Sequence, residues 1–210
     1  MYNIFMNNKQ KAVEILMALK DLFPNSKTVL NYTTPFELLV AVILSARNTD
    51  KKVNEVTSKL FKKYKTIKDY ANANPEELEK NLDKLGLFRQ KAKFVKGSAT
   101  IIIDKYNGQI PKTMGDLTAL PGVGRKTANI ILGNVYGITE GLAVDTHVTR
   151  LSKLFELTKN TNPEKIEQDL MKLLPKEEWF DFTNRMIDYG RAYCPAHCKH
   201  LTCPLKKLIT

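Results

Sequence analysis

LPGVGRKTANIIL, residues 120–132, is the stretch on which the fold turns. Pro121, Gly122 and Gly124 mark a tight turn. Leu117 and Leu120 precede it, Val123 lies within it, and Ala128, Ile131 and Leu132 follow. Those spacings give two short helices a shared apolar inside. The pattern predicts a helical hairpin over about 113–134, its second helix starting near Arg125. Gly122 and Gly124 permit positive φ and bring bare backbone to the surface. The N–H groups at the start of the second helix then point outward, where helix dipole and oriented amides favour a phosphate. A Walker-type nucleotide loop is excluded. It needs four residues between its glycines and a strand before them, whereas TMGDLTAL, 113–120, reads as helix. On these residues alone two readings stay open: a grip for phosphate, or a corner whose glycines serve only the turn.

Composition narrows the partner. The 210 residues carry 33 Lys and Arg against 22 Asp and Glu, a net charge of +11. Such an excess points to a polyanion, nucleic acid first and an anionic membrane surface second. No apolar run reaches the roughly 18–20 residues that span a bilayer. MYNIFMNNKQKAVEIL, 1–16, lacks the basic head, apolar stretch and small-residue cleavage site of a secretory signal. The expectation is a cytoplasmic, nucleoid-associated protein without disulfides.

The chain reads as helical nearly throughout. KQKAVEILMALKDLF, 9–23, sets Val13, Leu16, Leu19 and Phe23 at helical spacing. Thr34-Pro35-Phe36-Glu37 is a capping box, and the helix it opens is apolar on all sides, as a domain-spanning helix should be. Asn74-Pro75 and Asn162-Pro163 start helices in the same way. No segment alternates with period two, so little or no sheet is expected. Gly86, Gly108, Gly122, Gly124, Gly133, Gly137, Gly141 and Gly190 mark expected helix stops. GITEGLAVD, 137–145, reads as the crossover between two lobes, and a cysteine-bearing tail follows a helix ending near Tyr193.

LPGVGRKTAN followed by VDTHVTRL, 144–151, resembles the helix-hairpin-helix, Gly/Pro-rich loop and aspartate signature of DNA base-excision glycosylases, and within them the endonuclease III family. PFELLVAVILSARNTD resembles the family's early buried helix, KLGLFRQKAK its Gly-Leu-aromatic loop, and YGRAYC the entry to its cluster loop. The resemblance covers nearly the whole chain. It implies an all-α, two-lobed fold with a central cleft. One lobe spans 28–138 and the other joins 1–27 to 139–210. Lys126 and Asp145 would face the cleft from opposite sides. The implied activity is that of a monomeric, bifunctional glycosylase and abasic-site lyase acting on oxidised pyrimidines in double-stranded DNA that holds damaged bases or abasic sites. Two other readings are a monofunctional mismatch glycosylase and a non-catalytic helix-hairpin-helix DNA-binding protein.

The chemistry fits those residue types. An amine that attacks the sugar C1′ gives a Schiff base, which acidifies the C2′ proton and permits strand cleavage by elimination. Lys126 stands where the family has that amine. Asp145 would assist deprotonation or stabilise positive charge on the sugar. It is equally placed to cap a helix starting at Thr146. His147 beside it reads as a packing or hydrogen-bonding residue. Gly122, Val123, Gly124, Arg125 and Thr127 are candidate backbone contacts to DNA. Leu87 matches the family's wedge, which fills the gap left by a flipped base; as a bare pattern, Leu85-Gly86-Leu87 also fits a helix end with core leucines. Arg47 stands where the family usually has a glutamine that probes the orphaned base; an arginine there suits hydrogen bonds to that base, guanine above all, and equally a grip on phosphate. Asp50 matches a family aspartate, with a helix-terminal role equally open.

Cys194, Cys198 and Cys203 crowd the tail CPAHCKHLTCPLKKLIT. The family typically ends with four cysteines spaced C-x6-C-x2-C-x5-C around a four-iron four-sulfur cluster. Cys194 matches the first position and Cys203 the third. The second falls near His200 or Leu201, and the fourth, at Thr210 or beyond, carries no cysteine. A cluster would need His197, His200 or an outside ligand. Three thiolates and an imidazole also suit zinc, and a tail of free thiols is the third option. Any metal would be structural, since the lysine chemistry requires none.

Overall fold

A computed structural model describes residues 7–209; residues 1–6 of the segment tested for a signal, and Thr210, lie outside it. Among the described residues there are eleven α-helices and no strand. They are α1 (Asn8–Leu22), α2 (Pro35–Ser45), α3 (Asp50–Lys63), α4 (Ile67–Ala71), α5 (Pro75–Asn81), α6 (Phe88–Tyr106), α7 (Met114–Thr118), α8 (Arg125–Tyr136), α9 (Thr146–Leu154), α10 (Pro163–Leu173) and α11 (Trp179–Ala192). The chain divides into two compact units. One is Val29–Ile138, and the other joins residues 7–28 to residues 139–209.

In the Val29–Ile138 unit, α2 is the central element. Thr34 caps it, Glu37 reaches back to the Thr34 amide, and Pro35 opens its first turn. All residues from Phe36 to Leu44 except Glu37 are buried. A helix buried on every side needs neighbours around it, and α3, α6 and α8 pack against it. The hairpin of α7 and α8 joins this core through Leu117, Leu120, Val123, Ala128, Ile131 and Leu132, each at most 5% exposed.

The second unit gathers α1, α9, α10 and α11 around Ile15, Leu19, Leu151, Phe155, Phe182, Met186 and Tyr189. Arg185 of α11 is 6% exposed, and each of its three guanidinium nitrogens has an acceptor. It donates to Glu178 at 3.1 Å, to Asp181 at 3.0 Å and to the Phe23 carbonyl past the end of α1 at 3.3 Å. A buried guanidinium with this many acceptors fixes how α1 meets α11.

Three local expectations change. The buried face of α1 is Ala12, Ile15, Leu16 and Leu19, while Val13 is 42% exposed. Both sets obey a helical period, and the tertiary partner selects between them. Gly133 and Gly190, expected at helix stops, lie inside α8 and α11. Gly190 is there for space: a Cβ on it would meet His147 Nδ1 at 2.6 Å. Gly137 does end α8, in the left-handed conformation with φ 64°.

Candidate functional site

Two glycines shape the turn before α8 in different ways. Gly122 has φ +78°, and a Cβ there would lie 2.6 Å from the Phe94 ring. Gly124 has φ −93° and ψ 177°, extended backbone open to any residue, with nothing within 4 Å of its Cβ position. The expected positive φ thus holds for Gly122 and not for Gly124. The bare Gly124 leaves space above the first turn of α8. The amides of Gly124, Lys126 and Thr127 precede the first carbonyls that the helix could offer them. Val123 serves the turn itself. Its side chain is 5% exposed and its N–H donates to the Leu120 carbonyl at 3.1 Å.

Arg125 and Lys126 are the first two residues of α8, and both are exposed. Asp145 is the N-cap of α9, half-buried, and its Oδ1 accepts the Val148 N–H at 2.8 Å. The carboxylate is therefore locked in one orientation by the helix it starts. His147 lies two residues further on, and its Nδ1 is buried against Gly190 without a hydrogen-bond partner. It packs α9 onto α11.

Arg47 and Leu87 share an unexpected feature. Each is a non-glycine residue in the left-handed region, with φ 58° and φ 60°. Both are exposed, Leu87 by 50%. Holding two such residues costs about 1–3 kcal/mol each, so their surroundings must fix them. The fixing group is built from residues that sequence reasoning passed over. Asn48 donates to the carbonyls of Leu44 and Ala46, both at 3.0 Å, and accepts the Gly86 N–H at 2.9 Å. Lys91, only 3% exposed, donates to the same two carbonyls at 2.8 and 2.6 Å. Asn48 thus links the Arg47 loop to the Leu87 loop, and Lys91 anchors the end of α2. Burial pushes the Lys91 ammonium down to about 8. A lysine among so many gave no signal in one dimension. Asp50 is the first residue of α3, a position favourable to an acid by the helix dipole. A separate hollow of about 520 Å³ beside Thr34, Tyr64, Tyr70 and Tyr136 contains none of these residues.

In the tail, Cys194, Cys198, His200 and Cys203 converge, their ligand atoms all within 4.8 Å of one another. Together they form a set able to hold a metal ion. His197 is exposed and stands outside that set. Cys194 and Cys203 are buried, and all three cysteines are free. Arg150, another residue the sequence did not flag, runs from α9 to this group. Its guanidinium donates to the Cys194 carbonyl and, at 3.5 Å, to the Cys194 sulfur.

Residues 40–176 match the family described as HhH-GPD superfamily base excision DNA repair protein. An endonuclease III from Synechocystis sp. is 46% identical, the match covering 90% of this chain and 87% of that one. The structure of a non-covalent endonuclease III–DNA complex superposes with a TM-score of 0.93 at 42% identity, over 97% of this chain and 96% of that one. A trapped endonuclease III–DNA covalent intermediate superposes at 0.92, with the same identity and coverage.

Proposed function

The chain belongs to the endonuclease III family, within the HhH-GPD superfamily of base excision DNA repair proteins, and from that premise we propose that Lys126 is the nucleophile of a bifunctional DNA glycosylase and abasic-site lyase. Its substrate is double-stranded DNA bearing an oxidised pyrimidine or an abasic site. The observation that carries this reading is the exposed amine of Lys126 on the first turn of α8, directly past a glycine turn open to phosphate. An endonuclease III 42% identical to this chain has been trapped as a covalent intermediate with DNA, and a nucleophilic side chain such as an amine supports chemistry of that kind.

The steps follow from the chemistry of the amine. Unprotonated Lys126 Nζ bonds to C1′, and the bond from C1′ to the base breaks. The base leaves with a proton. The C1′–O4′ bond then opens, O4′ takes the proton from nitrogen, and a Schiff base remains. That imine acidifies the C2′ hydrogen. Its removal expels the 3′ phosphate oxygen and cuts the strand on the 3′ side. Water finally releases Lys126 from the sugar. Asp145 stabilises positive charge on the sugar or assists proton removal. Its Oδ1 is occupied by the cap, so Oδ2 is the oxygen we assign to that task.

Binding draws on other residues. The turn of Gly122 and Gly124 admits backbone phosphate to the amides of Lys126 and Thr127, with Arg125 adding charge. Leu87 wedges into the stack where the damaged nucleotide leaves it. Arg47 addresses the orphaned base, with guanine its best partner because it accepts two bonds from a guanidinium. Asp50 orders the start of α3 beside Arg47. No step runs through a metal.

Borohydride reduces a lysine–sugar Schiff base to a stable amine, which provides the test. Wild-type protein incubated with thymine glycol or abasic duplex and borohydride should yield a covalent protein–DNA adduct. Lys126→Ala should yield none while still binding the duplex. Base release without an adduct in wild type would instead mean a monofunctional glycosylase. Binding with neither release nor adduct, in metal-free buffer, would mean a non-catalytic module.

A further inference from the structure

We propose that Cys194, Cys198, His200 and Cys203 hold one tetrahedral zinc ion, in place of the four-iron cluster that the family resemblance implies. Spacing carries the inference. Cys198 and Cys203 sulfurs lie 3.2 Å apart, and His200 Nδ1 lies 3.5 Å from the Cys194 sulfur and 3.7 Å from that of Cys203. All four ligand atoms fit within 4.8 Å. A tetrahedral zinc with bonds of about 2.3 Å to sulfur and about 2.05 Å to nitrogen sets its ligands about 3.6–3.8 Å apart. A four-iron cube carries its thiolates on outer corners, about 6.4 Å from one another. The group is the size of a single ion's shell and too small for a cube.

The donor chemistry agrees. Three thiolates and one imidazole form a common structural zinc set, whereas four-iron clusters normally take four thiolates. Binding releases the three thiol protons to solvent, and zinc with three thiolates carries one net negative charge. The Arg150 guanidinium on the Cys194 sulfur offsets that charge. His200 is itself held for the purpose. It sits in the left-handed region at φ 57°, and its N–H donates to the Cys198 sulfur at 3.3 Å. Cys194 and Cys203 are buried and Cys198 and His200 half-buried, and four protein ligands leave no coordination position open, as in a structural zinc site. Its role is to pin the tail loop to α9 through Arg150 and to α11 through Cys194. This inference does not depend on Lys126 being the nucleophile.

The test uses untagged full-length protein, purified anaerobically, with zinc, iron and acid-labile sulfide measured against protein. About one zinc per chain is expected, with iron and sulfide below a tenth of that and no absorbance band at about 400 nm. Exchange with cobalt should give the visible bands of a tetrahedral cobalt–thiolate site. His200→Cys should retain one metal and shift those bands to lower energy, as a fourth sulfur replaces nitrogen. His197→Ala should leave metal content and bands unchanged. Iron and sulfide near four per chain would overturn the proposal. So would metal-free protein, whether its thiols are free or Cys198 and Cys203 are joined in a disulfide, seen as a mass loss of about 2 Da. Because the readouts involve no DNA, borohydride trapping on the same preparations separates failure here from failure of the catalytic reading.

Discussion

Gly122 and Gly124 stand two residues apart and answer to different constraints. Gly122 needs both its left-handed backbone and the space that the Phe94 ring would otherwise share with a Cβ. Gly124 needs neither to fold. Gly122→Ala should therefore cost roughly 2–4 kcal/mol of stability, from strain plus a clash with a ring. Gly124→Ala should change stability by less than about 0.5 kcal/mol. It should weaken DNA binding roughly tenfold, because the added methyl stands where a phosphate would approach the backbone. Denaturant melts and salt-matched binding curves of the two variants check this. Equal destabilisation by both, or undiminished binding by Gly124→Ala, would remove the phosphate grip and leave only a corner. The two glycines look alike in sequence, since neither φ nor the position of Phe94 is written next to them.

At the scale of elements, the end of α2 depends on α6 rather than on its own sequence. The carbonyls of Leu44 and Ala46 are each met twice, by Asn48 from the next turn and by Lys91 from the far helix. Lys91 gives this joint a pH signature. Its folded value, about 8, lies below the ordinary lysine value of 10.5. Between those two pH values the unfolded chain binds the proton and the fold does not. The penalty for burying the charge is thus fully present below pH 8 and is relieved as pH rises through that window. This group alone makes stability increase with pH there, by up to about 1.4 kcal/mol per unit. Unfolding free energies from pH 8 to 9.5 should rise more steeply for wild type than for Lys91→Met; parallel curves would contradict the burial argument. Such joints explain what could and could not be read from sequence. Helix starts were legible because their signals are local: Thr34 with Glu37, Asn74 with Pro75, and Asn162 with Pro163 each carry their own cap. The lysine that anchors α2, the arginine that braces the cysteine loop and the glycine that seats His147 depend on partners distant in sequence. Local pattern holds no trace of them.

At the scale of the whole molecule, the all-α architecture was legible from helical period and the missing alternation, and the signature stretches carried the family. The net charge of +11 suits a partner of opposite sign, yet charge alone does not distinguish an enzyme from a DNA-binding module. Membership of the endonuclease III family does. One unit supplies the exposed lysine at the start of α8, and the other supplies the capped aspartate at the start of α9 and the metal-ligand tail. On the proposed mechanism one lysine among many basic residues is the site of covalent attachment. The most direct measurement is mass-spectrometric mapping of the borohydride-trapped adduct, digested on both the protein and DNA sides. The reduced sugar remnant should be found on Lys126 alone. A remnant on any other lysine, or spread over several, would contradict the assignment of Lys126 as the nucleophile.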